Sequence, residues 1–330
     1  MKGATIHDVA RAADVSIATV SRTLNGIETV AAPTRDRVLR VAGELDYIPH
    51  SAARALSTRR TDTVGVVLPD LHGEFFSELI RGIDLAARGA GLHLLLSSSH
   101  GDAAEAAIAL RAMRSRVDSI IVMIPSASVD LAIAAGRGAG PMVFLGESGC
   151  NGDHPSFVVD NYAGAFAIAE HLAQSSHRRI AFVAGPSDNI DARERQRGYC
   201  AAVRQAGAEE WIVEGDFTEQ SGREAARLLL SDGLPDAVFC ANDMMAIGCL
   251  EALRDAGVRI PDDVALAGFD DIPIARYVSP PLTTAAVPIA EIGRRALECC
   301  IDKIAGRAPD GQRVFKPKLV IRESSAGRTE

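Results

Sequence analysis

The sequence predicts an α/β chain in two parts, an all-helical head followed by two doubly wound lobes. Three observations predict this class. Residues 1–50 carry short stretches of helical apolar spacing and no strand-like run. From Thr63 onward, short apolar runs alternate with amphipathic stretches of helical length, the pattern of a parallel sheet covered by helices. That alternation runs to about residue 145 and restarts at Phe157, which predicts two lobes rather than one. The 330 residues suffice for two or three domains, and the expected boundaries are 1–50, 51–62 and 63–330.

In the head, Thr5 precedes an apolar rhythm of Ile6, Val9, Ala10 and Ala13, and Thr5 with Asp8 forms a candidate capping box. This helix should stop near Asp14, with Ser16 placed to cap the next one. In Ile17–Leu24, Val20 and Leu24 share one face and can pack back on the first helix, while Ile17, Ala18, Ser21 and Arg22 lie on the other side. Asn25-Gly26 ends it. Two helices joined by a short turn, the second with a small, polar and basic outer face, describe a helix-turn-helix. Thr34–Leu45 reads as a third helix, with Val38, Val41, Ala42 and Leu45 inward.

In the body, strands are expected at 64–68, 92–96, 120–123, 142–145, 157–159, 180–183, 211–213, 237–240 and 264–267, with helices between them. The strand ends carry the polar residues: Asp70 ahead of Phe75-Phe76, then Asp160-Asn161, then Asn189, Asp191, Arg193 and Arg195. Asp216-Phe217, Asn242-Asp243 and Asp270-Asp271 follow the later strands. Sites in such sheets gather at the carboxyl ends of strands, so a cleft between lobes is expected. Carboxylates, amides, a guanidinium and aromatic rings converging there suit a polyhydroxylated or heterocyclic ligand. For Asp160, Asp243 and Asp271 capping of the helix that follows is the stronger reading, and Phe75 and Phe76 could be core.

The formal net charge of −8 is unevenly spread. Residues 1–60 hold nine Lys/Arg against six Asp/Glu, and the remainder holds 26 against 37. A modestly basic head on an acidic body fits a head near phosphate, although ordinary charge scatter would look similar. The N-terminus shows no signal-peptide pattern and no apolar run reaches membrane-spanning length, so a cytoplasmic protein without membrane contact is expected. The six cysteines form no C-x-x-C pair and read as buried reduced thiols, and the histidines show no metal-ligand spacing.

The segments TIHDVARAADVSIATVSRTLNG and LDYIPHSAARALSTRRT resemble the DNA-binding head and hinge of the lactose/galactose repressor family. GPSDNIDARERQRGY, CANDMMAIG and GFDDIPIARYVSPPLTT resemble its two-lobed, periplasmic-binding-protein-like sensor. The resemblance implies an allosteric transcriptional repressor, homodimeric on a pseudo-palindromic double-stranded operator and without cofactor. It implies that Ile17, Ala18 and Arg22 meet base edges in the major groove, Arg22 at guanine. Ser16, Thr19, Ser21, Asn25 and Thr34 would hold phosphates.

The hinge helix maps to Ser51, Ala52, Ala53, Arg54, Ala55 and Leu56, with Leu56 the minor-groove wedge rather than an ordinary core leucine. The resemblance places Phe75, Phe76, Asn189, Asp191, Arg195, Phe217, Asn242 and Asp270 in an effector pocket, for a sugar, a sugar derivative or, alternatively, a purine. It also makes Phe75–Arg88 the dimer helix. Effector binding would change the lobe angle and so the separation of two hinge helices.

The sequence departs from the family at Ala31-Ala32-Pro33, where a cap or phosphate contact is lost, and at Gly146, where several members carry an acid. Two other classes fit less well. An exported sugar-binding protein would need the missing leader and would have no helix-turn-helix. An enzyme is disfavoured because Gly136-Arg-Gly138-Ala-Gly140 is not a dinucleotide fingerprint and reads as a turn, and Gly146–Gly149 fails the G-x-S-x-G spacing.

Overall fold

The computed structural model describes residues 4–24, 29–47, 60–124, 128–146, 154–174, 177–308 and 312–326. Asn25 and the hinge residues Ser51, Ala52, Ala53, Arg54 and Leu56 lie outside the described residues. The chain divides into two compact units, Met1–Asp62 and Thr63–Glu330.

The first unit holds α1 (Ile6–Ala12), α2 (Ile17–Leu24) and α3 (Ala32–Glu44). The capping box forms: Thr5 Oγ1 accepts from the Asp8 N–H at 3.4 Å, and the Asp8 carboxylate accepts from the Thr5 N–H at 3.0 Å. Asp14 takes a left-handed φ of 49° after α1, which turns the chain into Ser16. Val9, Ala10, Ala13, Val20, Val38, Val41 and Ala42 form the core expected from their spacing. Leu45 differs. It caps α3 from outside the last turn and is 37% exposed, while Tyr47 packs against the core. Ala31 makes no side-chain cap, and Pro33 sits in the first turn, where its missing N–H costs nothing.

The second unit opens with β1 (Thr63–Leu68), α4 (Glu74–Gly89), β2 (His93–Ser98), α5 (Ala103–Met113), β3 (Ser119–Met123), α6 (Val129–Gly136), β4 (Met142–Leu145) and β5 (Ser156–Val159). It continues with α7 (Asn161–Gln174), β6 (Arg179–Val183), α8 (Ile190–Gln205), β7 (Glu209–Val213), α9 (Glu219–Ser231), β8 (Ala237–Cys240), α10 (Asp243–Asp255) and β9 (Ala265–Ala267). A 3-10 turn (Pro273–Arg276), β10 (Thr284–Ala286), α11 (Ile289–Ile304), β11 (Gln312–Phe315) and β12 (Lys318–Val320) complete it.

One parallel sheet has the order β11-β5-β4-β3-β1-β2, a second has β7-β6-β8-β9, and β10 pairs antiparallel with β12. In the first sheet, Val66 lies opposite Leu96 and Ile121. Strand alternation divides its two faces. Val64, Val66, Leu68 and Ile121 join Leu79 and Ile83 of α4 and Ile292 of α11, whereas Val67, Ile120 and Val122 join Leu110 of α5 and Ala132 of α6. Burial on both faces explains the unbroken apolar runs of these strands.

The lobes are not consecutive in sequence. Phe157–Val159, which reads as the start of the second series, pairs with β4 and belongs to the first sheet. The C-terminal β11 pairs with β5, so the first lobe closes only after the second is built. Within the first lobe, α11 packs on α4 through two glycines. A Cβ on Gly82 would come 2.0 Å from the Ala290 carbonyl oxygen, and one on Gly293 would come 2.4 Å from that of Leu79. Gly136 ends α6 and the chain turns directly after it, with Gly138 and Gly140 at φ of 86° and 87°.

Candidate functional site

In the head, α2 turns Val20 into the core and leaves Ser16, Ile17, Ala18 and Arg22 exposed, with Thr19, Ser21 and Thr34 half-buried beside them. Ser16 caps α2: its Oγ accepts from the Thr19 N–H at 3.1 Å and lies 2.9 Å from Thr19 Oγ1. Ile17 is 41% exposed, an apolar residue at the helix start with no core to fill. The outer face therefore offers an apolar contact, hydroxyls and one guanidinium, groups that suit base edges and phosphates.

In the second lobe, Arg195 on α8 is 6% exposed and is the centre of a polar cluster. Its Nε donates to Asn161 Oδ1 at 2.8 Å and its Nη1 to the Ala241 carbonyl at 2.6 Å. Its Nη2 lies 3.2 Å from Asp270 Oδ1, and its guanidinium stacks 3.9 Å from the Phe269 ring centre. Asn161 Nδ2 donates to Asp191 Oδ1 at 2.8 Å, which closes a chain from Asp191 through Asn161 to Arg195. Asp191 and Arg195 are four residues apart on one helix, which places both on the same face.

Burial raises the Asp191 carboxyl above its ordinary range, against the opposing pull of Arg195 and Asn161. Burial likewise pushes Asp270 up to about 6 despite Arg195, with the Asp191 charge adding to the shift. The Asp270 backbone is held at a φ of 111°, and Phe217 at 71°, conformations that L-residues keep only where surroundings enforce them. The Phe217 ring lies against Gly185, where a Cβ would come within 2.5 Å of it, and 5.7 Å from the Arg195 guanidinium.

The structure thus brings together Asp191, Arg195, Phe217 and Asp270. Asn189 and Asn242 have local tasks at the same strand ends. Asn189 Oδ1 caps α8 by accepting from the Ala192 N–H at 3.0 Å. Asn242 Oδ1 caps α10 through the Met245 N–H at 2.9 Å, while its Nδ2 donates to the Phe217 carbonyl and fixes that loop. Phe75 and Phe76 stand in the first lobe on the first turn of α4, half-buried and edge to face with centroids 5.4 Å apart. Gly146, at the end of β4, brings the first lobe against the cluster: a Cβ there would lie 3.9 Å from Asp191 Oδ2.

Of the three carboxylates that could cap helices, only Asp160 does, accepting from the Ala163 N–H at 3.1 Å. Asp243 is buried and accepts from Ile272 N–H and Thr284 Oγ1. Asp271 pairs with Arg276 and Arg322. The sequence places Asn161 at a strand end, yet neither Asn161 nor Phe269 is among the expected pocket residues. The available signal was that Asp160 already supplies the cap, leaving the Asn161 amide free for a tertiary partner.

Among the described residues no group of three His, Cys, Asp or Glu side chains could hold a metal ion. The described cysteines are unbridged, with Cys240, Cys249, Cys299 and Cys300 buried. No described helix is long and apolar enough to cross a membrane.

A helix-turn-helix unit joined to a two-lobed α/β unit, with a buried polar cluster at its strand ends, defines a ligand-sensing DNA-binding regulator. Residues 5–50 match the profile of bacterial regulatory proteins of the lacI family, and residues 169–325 that of the periplasmic binding protein-like domain. The chain is 34% identical to the HTH-type transcriptional repressor CytR of Escherichia coli strain K12, over 98% of this chain and 96% of that protein. It is 35% identical to the HTH-type transcriptional repressor PurR of Photobacterium profundum, over 97% and 98%.

Among solved structures, the lac repressor dimer bound to operator and the anti-inducer ONPF superposes with a TM-score of 0.88 at 28% identity, covering 98% of this chain and 99% of that one. The complex of the regulator CelR with cellobiose gives 0.71 at 31% identity, over 97% and 99%. The chain belongs to the lacI family of bacterial regulatory proteins. It is a DNA-binding transcriptional regulator, not an enzyme.

Proposed function

We propose that this chain represses transcription as a homodimer on a two-fold-related operator, and that a small molecule bound between its lobes controls that repression. In this reading α2 enters the major groove with Ile17, Ala18 and Arg22 at base edges. Ser16, Thr19, Ser21, Asn25 and Thr34 hold phosphates, and the segment Ser51–Leu56 is the hinge, with Leu56 wedged in the minor groove.

The observation that carries the sensing half is the Asp191–Asn161–Arg195–Asp270 cluster, buried at the ends of the second-lobe strands and met by Gly146 from the first lobe. Phe75, Phe76, Asn189, Phe217 and Asn242 complete the pocket. The effector is a sugar or sugar derivative. The Phe217 ring beside Arg195 favours a purine as the second reading, since a flat base can stack there.

Exposed apolar residues support the dimer. Leu85 on α4 is 58% exposed, and Leu95 and Leu96 are exposed on β2, the edge strand that α4 packs against. Acting on DNA, the protein works in the cytoplasm.

The test is selection of duplexes from a random pool with the full chain, followed by footprinting and a thermal-shift screen of sugars, polyols, nucleosides and purines. A two-fold-related consensus, plus one ligand that both stabilises the chain and alters operator affinity, is expected. A ligand that stabilises the chain without changing operator affinity refutes the coupling.

A further inference from the structure

The cluster around Arg195 has more acceptors than donors, and the imbalance bears on what can bind there. Two carboxylates stand in a cluster with one guanidinium: Asp270 lies 3.2 Å from Arg195 Nη2, and Asp191 is tied to Arg195 only through Asn161. Most of the donors are already committed. Arg195 Nε and Nη1 serve Asn161 and Ala241, and Asn161 Nδ2 serves Asp191 Oδ1 and the Val159 carbonyl. Asp270, only 5% exposed, has an Oδ1 with no aligned hydrogen bond; Arg195 Nη2 approaches it at 3.2 Å in ion-pair contact alone. Asp191 Oδ2 faces the first lobe at Gly146, which presents no side chain to it.

A buried acceptor without its hydrogen bond carries a desolvation cost that a ligand donor would remove. A ligand anion brought to the same place would meet two carboxylates through a medium that screens poorly.

We infer that the pocket selects an uncharged or cationic effector, rich in hydroxyl or amino donors, and rejects anions such as phosphorylated sugars, nucleotides and sugar acids. This inference rests on the reading of the cluster as the effector site. Within that reading it assigns Asp270 and Asp191 as the groups that set ligand charge, and Arg195 as their counter-ion rather than as a free anchor for a ligand phosphate. The departure at Gly146 follows the same logic: an acid there would add a third negative charge beside Asp191, and its absence leaves space for a donor group.

The experiment titrates the full chain calorimetrically with matched pairs: ribose and ribose 5-phosphate, glucose and glucose 6-phosphate, cytidine and adenosine with their 5′-monophosphates. In each pair that binds, the neutral member should bind about tenfold or more tightly than its phosphorylated partner. Asp191→Asn, checked for native secondary structure by circular dichroism, should narrow that ratio by admitting the anion. Asp270→Asn is the second variant should the first not fold. A phosphorylated member that binds as tightly as its parent overturns the charge assignment and leaves the pocket reading standing. Failure of every probe to bind the folded chain overturns the pocket reading and the inference with it.

Discussion

Replacing Arg195 with alanine should destabilise the second lobe more than a typical substitution, and the structure sets the size. The change removes the cation beside Asp270 and the partners of Asn161 Oδ1 and the Ala241 carbonyl, all buried. Removing one member of a buried ion pair costs about 3–5 kcal/mol, because the remaining charge is stranded. An unsatisfied buried acceptor costs about 1–3 kcal/mol. These effects share one side chain and do not add, so about 3–5 kcal/mol is expected at pH 7.5.

Acid should relieve part of it. Asp270 already titrates at about 6 with Arg195 present and must titrate higher without it, so the variant's deficit shrinks as pH falls toward 5. Urea unfolding followed by Trp211 reads this lobe directly, since the chain's one tryptophan lies in β7 under the Arg179 guanidinium. A deficit below about 1 kcal/mol at pH 7.5, or one that grows on acidification, would refute the reasoning. Arg195→Lys, which keeps the cation, is then the better variant for asking about effector response alone.

Gly82→Ala drives a Cβ into the Ala290 carbonyl and should cost about 1–3 kcal/mol, whereas Gly89→Ala, with open space around it, should be neutral or mildly stabilising; equal melting temperatures for the two would show that α4 and α11 do not pack this closely. Arg22→Ala should relax preference at one base pair per half-site at a cost of about 1–3 kcal/mol, and an unchanged consensus in a duplex selection would remove it from base readout. The pH profile of stability follows from opposite shifts. Burial raises Asp191, Asp243 and Asp270, so their ionisation costs stability above their folded values and is relieved as pH drops through about 6 for Asp270. Glu291 is lowered to about 2 by Arg294 and Arg295, so its contribution is intact above its usual 4.5 and lost as pH falls toward 2. Thermal melts should therefore peak between about pH 4.5 and 6, and a melting temperature rising steadily from pH 5 to 8 would contradict the assigned shifts.

How much was legible depended on whether the decisive partner was near in the chain. Thr5 and Asp8, three residues apart, define α1 by themselves, and Ser16 defines α2 in the same way. The apolar runs of β1, β3, β6 and β8 read as buried strands, and they lie inside parallel sheets. The start of α8 is another matter. The structure begins the helix at Ile190, because the Asn189 side chain captures the Ala192 N–H. That cap can be read from the residue type only once the turn after Pro186 is known.

The sequence by itself determined the class of elements, the head core, the exposed face of α2 and the residue types at the strand ends. Apolar periodicity and capping act within a few residues and do not wait for the fold. The tertiary structure alone decided that β5, α11 and β11 complete the first lobe, that Gly82 and Gly293 let two helices touch, and that Asn161 rather than Asn189 links Asp191 to Arg195. Those outcomes rest on contacts between segments from 30 to more than 200 residues apart. No local propensity encodes them, and only the closed sheets bring the partners within bonding distance.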